Sequence, residues 1–437
     1  MKIDEIKQEN IINKICFLAS VLFFIGVLIS CNNTGTVEPE VITSKVVGKV
    51  SDESTSGDGS FSGVENATIR LIQMENDGAE DTVSVEDVIT DAQGKFISET
   101  NLDGVNNLLV KAGKDDKEWR GILTSKVKQG IAVYIQPLNM VTTVSADLFR
   151  KAVLANSNLE YTQIRILIDE DIAFILDSNS EFIDDVVSAF ETGLSAEKET
   201  LLRPEIGGTT SQWEHIMSAK ISAQSALDRD LYYAESVSAR KIALQSYLSS
   251  IADAYVDVGM QTVTFSKVLE SSSRVFLKGI SGINSRLYFE FVKRSSEIRA
   301  RVLDIAVQYE FQKLGADPSI INKVIDSGDE LENGLEYLQS ENEIAVAFIN
   351  YKQKVMEHFE RVTGVNGNTI AAIEDTIEVY KNDLITGVNN SGEQSAVIDA
   401  YLNFYTNVTN LVKQQISTGY IDQNAASDVL ILLNMYY

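Results

Sequence analysis

Residues 131–154 read IAVYIQPLNMVTTVSADLFRKAVL, and the fold class turns on this stretch. Ile131, Ala132, Val133, Tyr134 and Ile135 make a short apolar strand that closes a region of two-residue periodicity. Pro137 favours ending a strand, because it has no N–H to give to a ladder. From Ser145 the period becomes 3.6. Ser145 is placed to cap a helix, Asp147 falls in its favourable first turn, and Leu148 and Val153 face inward. The switch takes about ten residues. It predicts a multidomain β + α chain: a small N-terminal antiparallel β-sandwich, then a large all-α domain of long antiparallel helices.

Upstream, Val46, Val47 and Val50 begin a strand, and residues 67–72, ATIRLI, alternate into the next. Phe96 and Ile97 follow a turn, and Leu108, Leu109 and Val110 form another apolar strand. Turn signals separate them at short spacing: Gly57-Asp58-Gly59, Asn76-Asp77-Gly78, Asp91-Ala92-Gln93-Gly94 and Asp103-Gly104. Such spacing over residues 44–143 argues for a sandwich of six or seven short strands. Three segments go further: Val47-Gly48-Lys49-Val50, Gly63-Val64-Glu65-Asn66-Ala67-Thr68-Ile69 and Thr90-Asp91-Ala92-Gln93-Gly94-Lys95-Phe96. In this order they resemble the carboxypeptidase regulatory-like, transthyretin-like β-sandwich. The resemblance implies that fold, and it brings no zinc ligands and no peptidase chemistry. The acidic insert at 51–61 lacks the spacing of a dedicated calcium loop and reads as solvated. Trp119 reads as a core residue, with an aromatic contact surface at a sheet edge as its alternative.

Residues 145–203 read as lead-in helices, with one at 178–194 led by Phe182, Val186, Val187 and Phe190. RPEIGGTT at 203–210 breaks the pattern. Residues 211–437 then read as a long-helix bundle, opening with one very long helix from Ser211. Leu244, Leu248, Ile251, Tyr255 and Val258 recur at spacings of 4, 3, 4 and 3. Leu287, Phe291, Ile298, Val302, Ile305 and Tyr309 form one stripe of a helix at 285–314. Ile344, Phe348, Tyr351, Val355, Phe359 and Val362 do the same at 341–362. Pro318 is tolerated in a helix's first turn. Gly364, Gly367 and Gly387 mark later breaks, and the last helices fall at 391–418 and 421–435.

The N-terminus supplies an address. Residues 15–29, ICFLASVLFFIGVLI, are uninterruptedly apolar apart from Ser20, follow Lys14, and end in Leu28-Ile29-Ser30-Cys31. The run is too short to cross a bilayer comfortably and has the length of a secretory h-region. This resembles the lipobox of bacterial lipoprotein signal peptides. The resemblance implies a signal peptide at 1–30, lipidation of Cys31, a flexible tether at 31–43, and attachment to the cell envelope at the outer membrane. An uncleaved signal anchor is the alternative, and it places residues 32–437 on the same side.

The 437 residues include 63 acidic and 37 basic side chains, a net charge of −26, which disfavours nucleic acid as a partner. Cys16 and Cys31 both precede the body, leaving it no thiol chemistry. His215 and His358 each follow a glutamate directly, which is the wrong spacing for a di-iron helix, and both read as surface or half-buried positions. Asp169-Glu170-Asp171 and Asp184-Asp185 are adjacent acids that, on a helix, point about 100° apart. Basic residues come singly or in twos, such as Lys293-Arg294. No phosphate loop, dinucleotide fingerprint, zincin helix or nucleophile elbow is present, so no catalytic, cofactor or metal residue is named. Two functions stand. One is a non-catalytic envelope lipoprotein serving as a structural or protein- or glycan-interaction module. The other is a carboxylate-dependent hydrolase or small-molecule receptor with its site in a cleft of the helical domain, where two acids and aromatic rings would converge.

Overall fold

The alternating region becomes ten short strands in a computed structural model that describes residues 43–52, 62–74, 80–416 and 421–436. They are β1 (Ser44–Lys49), β2 (Ser51–Asp52), β3 (Ser62–Gly63), β4 (Thr68–Met74), β5 (Glu80–Thr82), β6 (Val88–Ile89), β7 (Lys95–Thr100), β8 (Leu108–Lys114), β9 (Lys117–Leu123) and β10 (Ala132–Tyr134). One sheet has the order β10-β1-β7. A second runs β5-β4-β8-β9, with β6 also on β4, and β2-β3 form a small ribbon. The expected antiparallel pairing holds except at β1 and β10, which are parallel. A parallel neighbour needs a crossover, and the β8–β9 hairpin on the other sheet lies within that connection.

Two-residue alternation decides what each strand covers. Ile69 and Leu71 of β4, Leu108 and Val110 of β8, and Trp119 and Leu123 of β9 share a core with Val46 of β1 and Phe96 of β7. Trp119 is therefore a core residue. On the opposite face, Ile72, Leu109 and Ile122 stand in register across the same three strands and pack into the helical core. The end of the β4-β8-β9 layer at Ile72, Leu109 and Ile122 is thus buried on both faces, while Arg70 and Glu118 on its outer face are exposed. Two glycines of the three quoted segments have steric reasons. A Cβ on Gly48 would lie 2.3 Å from the Phe96 ring, and Gly94 takes φ +73° in the Asp91–Lys95 turn.

Thirteen α-helices follow among the described residues: α1 (Met140–Leu154), α2 (Tyr161–Arg165), α3 (Glu170–Ser178), α4 (Ile183–Leu202), α5 (Thr210–Tyr233), α6 (Val237–Asp257), α7 (Thr262–Ile280), α8 (Ser285–Lys313), α9 (Pro318–Leu335), α10 (Glu341–Thr363), α11 (Gly367–Asn390), α12 (Gln394–Gln415) and α13 (Gln423–Met435). Residues 43–437 form one compact unit. Ser145 is not the cap of α1. Asn139 accepts from Thr142 N in a capping box, and Ser145 lies inside the helix with its hydroxyl on Val141 O. The single long helix expected from Ser211, with Leu244 to Val258 in its second half, is two helices, α5 and α6, and α7 follows after a further break. Ala234 is extended, Ser236 caps α6, and Gly259 takes φ +79° before α7. Gly387 lies within α11 and breaks nothing.

The 29-residue α8, about 43 Å long, runs through the interior. Leu287, Phe291, Ile298 and Val302 are buried as the stripe predicts, yet Ser295, Arg299, Asp304 and Glu310 are buried too. Arg299 and Glu270 of α7, 0% and 1% exposed, form an ion pair in which Arg299 Nη2 donates to Glu270 Oε1 at 2.8 Å. The guanidinium lies 5.8 Å from the Phe348 ring and 5.3 Å from that of Tyr436.

The strands and helices meet through polar as well as apolar contacts. Arg120 Nη1 donates to Asp147 at 2.6 Å, and Thr124 Oγ1 donates to Asp228 Oδ2 at 2.8 Å. Gln136 accepts from Arg165 Nε at 2.6 Å.

Candidate functional site

A cavity of about 450 Å³ opens where the chain after β10 meets α2, α3, α5, α6, α8 and α9. Six basic side chains line it: Arg165, Arg240, Lys241, Lys293, Arg294 and Arg301. Six acidic ones face them: Asp169, Glu170, Asp171, Glu297, Glu332 and Glu336. The whole chain has far more acids than bases, so parity here is a local enrichment in cations.

Local folding places each group. Arg165 ends the one-turn helix α2, and its Nη1 donates to Ile168 O at 3.0 Å while its Nε holds Gln136. Asp169 is the N-cap of α3, accepting from Ile172 N at 2.9 Å. On α8, Arg294, Glu297 and Arg301 share a face by their i, i+3, i+7 spacing. Arg294 donates to Glu297 Oε2 at 2.8 Å and to Ile166 O at 3.1 Å. Arg301 donates to Lys241 O at 3.0 Å and to Glu332. Lys241 Nζ reaches Asn333 Oδ1 at 2.9 Å, and Lys293 Nζ lies 3.9 Å from Asp171.

Burial pushes Asp169 up to about 6, against the pull of Arg294 and its cap bond. Burial likewise pushes Glu332 up to about 7 despite its bond to Arg301. Both therefore titrate at or near neutral pH. Among the described residues lining the cavity there is no nucleophilic hydroxyl or thiol, no histidine and no aromatic ring. The acids are committed to caps and ion pairs.

The residues singled out in the sequence are distributed as follows. Cys31 lies outside the described residues, as does most of the insert at 51–61, although Asp52 pairs with Lys117 at 3.1 Å. His215 is exposed on α5, and His358 is half-buried on α10, where burial lowers its pKa. Asp184 and Asp185 are exposed, the former paired with Lys151. Asp169, Glu170 and Asp171, expected to diverge, all line the cavity. Asp169 is extended rather than helical, so the 100° rule does not yet apply to it. The cleft expected to gather acids and aromatic rings has the acids alone. Two basic doublets enter it, Lys293-Arg294, singled out in the sequence, and Arg240-Lys241 of α6, which is not. Arg165 of α2 and Arg301 in the middle of α8 complete the set, a convergence no sequence window contains.

Among the described residues no group of three or more His, Cys, Asp or Glu is placed to hold a metal ion, and no helix is long and apolar enough to cross a membrane. No family model matches the chain, and neither a curated protein nor a solved structure matches it.

Proposed function

We propose that the chain is a cell-envelope lipoprotein, held at the outer membrane by lipid on Cys31, whose body binds a small ligand of mixed charge without transforming it. The observation that carries the binding reading is the cavity of about 450 Å³ lined by six basic and six acidic side chains. Taking an ion out of water costs several kcal/mol even after relaxation, and an apolar junction would hold these elements without that cost. Charges ringing an open volume are suited to a ligand that completes their hydrogen bonds. Because the signs balance, the local field favours neither a simple anion nor a simple cation. A zwitterion meets both sets, and the volume is within the range of small-molecule sites.

Calorimetric titration of the full chain with glycine and glycylglycine should give saturable binding that weakens with added salt. If acetate or methylammonium binds while neither zwitterion does, the ligand class is wrong. If none of the four binds, the cavity is only a structural junction. For the anchor, intact-mass analysis of membrane-extracted protein should show diacylglycerol-type modification at Cys31. A Cys31→Ser protein that is equally membrane-bound sinks it.

The finer reading of the strands as a transthyretin-like sandwich is supported by the core shared between the two sheets and by Asp91, whose side chain accepts from both Gln93 N and Lys95 N in the hairpin before Phe96. A second functional reading, contact with an envelope glycan or protein, is favoured by one surface. Tyr134, Tyr232 and Tyr233 have ring centroids 5.0 to 5.5 Å apart, and Tyr233 is 60% exposed. Tyr233→Ala should reduce retention of the chain on an immobilised envelope glycan, and unchanged retention excludes that surface.

A further inference from the structure

A second, smaller cavity of about 110 Å³ lies beside the charged one. Its wall is mainly apolar, with Phe190, Leu248, Phe265, Leu269, Phe276 and Ile298, and it also carries the Lys220–Glu197 ion pair and Tyr247. Ser295 also lines it, is 1% exposed, and its Oγ has no hydrogen-bond partner among the described residues. A buried hydroxyl left unbonded is costly in a packed core.

The two cavities share their builders. Ile166 lines both, and its carbonyl accepts from Arg294 of the charged cavity. Helix α6 gives Lys241 and Leu244 to the charged cavity, and Leu248 and Ile251 to the apolar one. Helix α8 gives Arg294, Glu297 and Arg301 to the first, and Ser295 and Ile298 to the second. Ile166 is thus common to the charged chamber and a mainly apolar one, which lie along the same pair of helices.

From this juxtaposition we infer that the two cavities are halves of one site, and that the ligand is an amino acid or short peptide bearing a large apolar side chain. The inference rests on the zwitterion reading of the charged cavity and deepens it. The charged half takes the ammonium and carboxylate, and the apolar half takes the side chain. Size limits the side chain: an apolar cavity of about 150 Å³ accommodates benzene, so this one suits an isobutyl group or, at the upper limit, a phenyl ring. Ile166, half-buried at the end of α2, is the partition the side chain must pass.

The test is a titration series on the full chain with glycine, alanine, leucine and phenylalanine, read by calorimetry. Affinity should rise from glycine to leucine by roughly 100-fold, the value expected for burying four carbons. Ser295→Leu, which fills the apolar half, should bring leucine affinity down towards that of glycine. Benzene supplies a measurement on the unaltered protein. It should weaken leucine binding competitively and leave glycine binding alone. Equal affinity for glycine and leucine, or benzene that binds without weakening leucine, overturns the inference while leaving the charged site in place. Failure of every amino acid to bind removes both.

Discussion

Replacing Asp304 by asparagine should make the protein more stable at neutral pH and flatten its pH profile. Asp304 lies on α8, 3% exposed, against a glycine. A Cβ on Gly328 would sit 2.3 Å from the Asp304 carboxyl carbon, so the acid occupies the space a side chain would need. Gln308 Nε2 donates to it at 2.5 Å and Tyr351 OH at 3.3 Å. The charged groups facing it from α8 and α9 include Arg301, Asp329 and Glu332. Burial, seconded by Glu332, pushes Asp304 up to about 8. The direction of the effect follows from linkage. A carboxyl whose folded pKa exceeds its unfolded one binds its proton more tightly when folded. Its stabilisation is complete below about 4 and is lost as pH rises to about 8. Between pH 5 and pH 7 the loss from this one group amounts to roughly 2.5 kcal/mol. An asparagine amide has no such proton to lose. Urea unfolding at pH 5, 6, 7 and 8 should show the parent midpoint falling with pH and the Asp304→Asn midpoint falling less. The two curves should separate by that amount between pH 5 and 7. Asp228 and Glu332, both raised to about 7 chiefly by burial, leave a residual slope of the same sign. Parallel curves, or a variant weaker at every pH, would refute the argument.

Three further outcomes follow from the packing. Gly48→Ala drives a methyl into the Phe96 ring and the Ile135 side chain, and thermal melts should show a loss of about 1–3 kcal/mol, partly restored by Phe96→Leu. Arg299→Met leaves the buried Glu270 with Arg274 as a remaining cation. Chemical denaturation should register a loss of about 3–5 kcal/mol, and adding Glu270→Leu should recover most of it. Asp228→Asn can still accept from Gln224 while its amide donates to the Thr124 hydroxyl, and it should raise stability at pH 8 relative to the parent while changing it little at pH 5, read by urea midpoints.

The β-to-α order is legible in the sequence because periodicity is local. The stripe at 341–362 reappears as the buried face of α10, with Ile344, Phe348, Tyr351, Val355 and Phe359 all buried. The stripe on α8 is equally legible and still undersells the helix. A pattern of apolar residues cannot announce that Arg299 and Asp304 are also inside, because their burial depends on partners 29 and 47 positions away. Helix boundaries are hardest to read where capping competes. Ser145 and Asn139 are both good caps, and the reciprocal box that Asn139 makes with Thr142 marks the earlier one as the start. The charged cavity is the least legible feature. Arg165, Arg240, Arg294 and Glu332 lie on four helices, and each reads alone as a solvated residue. The one available sign is the acidic run at 169–171, whose first member caps a helix and so escapes helical geometry.

The doubly covered end of the β4-β8-β9 layer bears on how the chain finds its alignment. A strand with one wet face is locked in place, because slipping by a single position would turn its apolar side outward. Leu108-Leu109-Val110 is apolar on both sides, so a slip there would sacrifice little burial and hydrophobicity alone discriminates poorly against it. Alignment must be enforced by the few positions that are not interchangeable. Gly121 is one, since a Cβ there would lie 2.6 Å from Leu138. Its neighbour Arg120 is another, because a one-position shift would turn it away from Asp147 and into the apolar interior. The third is Asp115, at φ 51° in the two-residue turn between β8 and β9. Proofreading of the whole β layer thus rests on a glycine, an arginine and a left-handed aspartate.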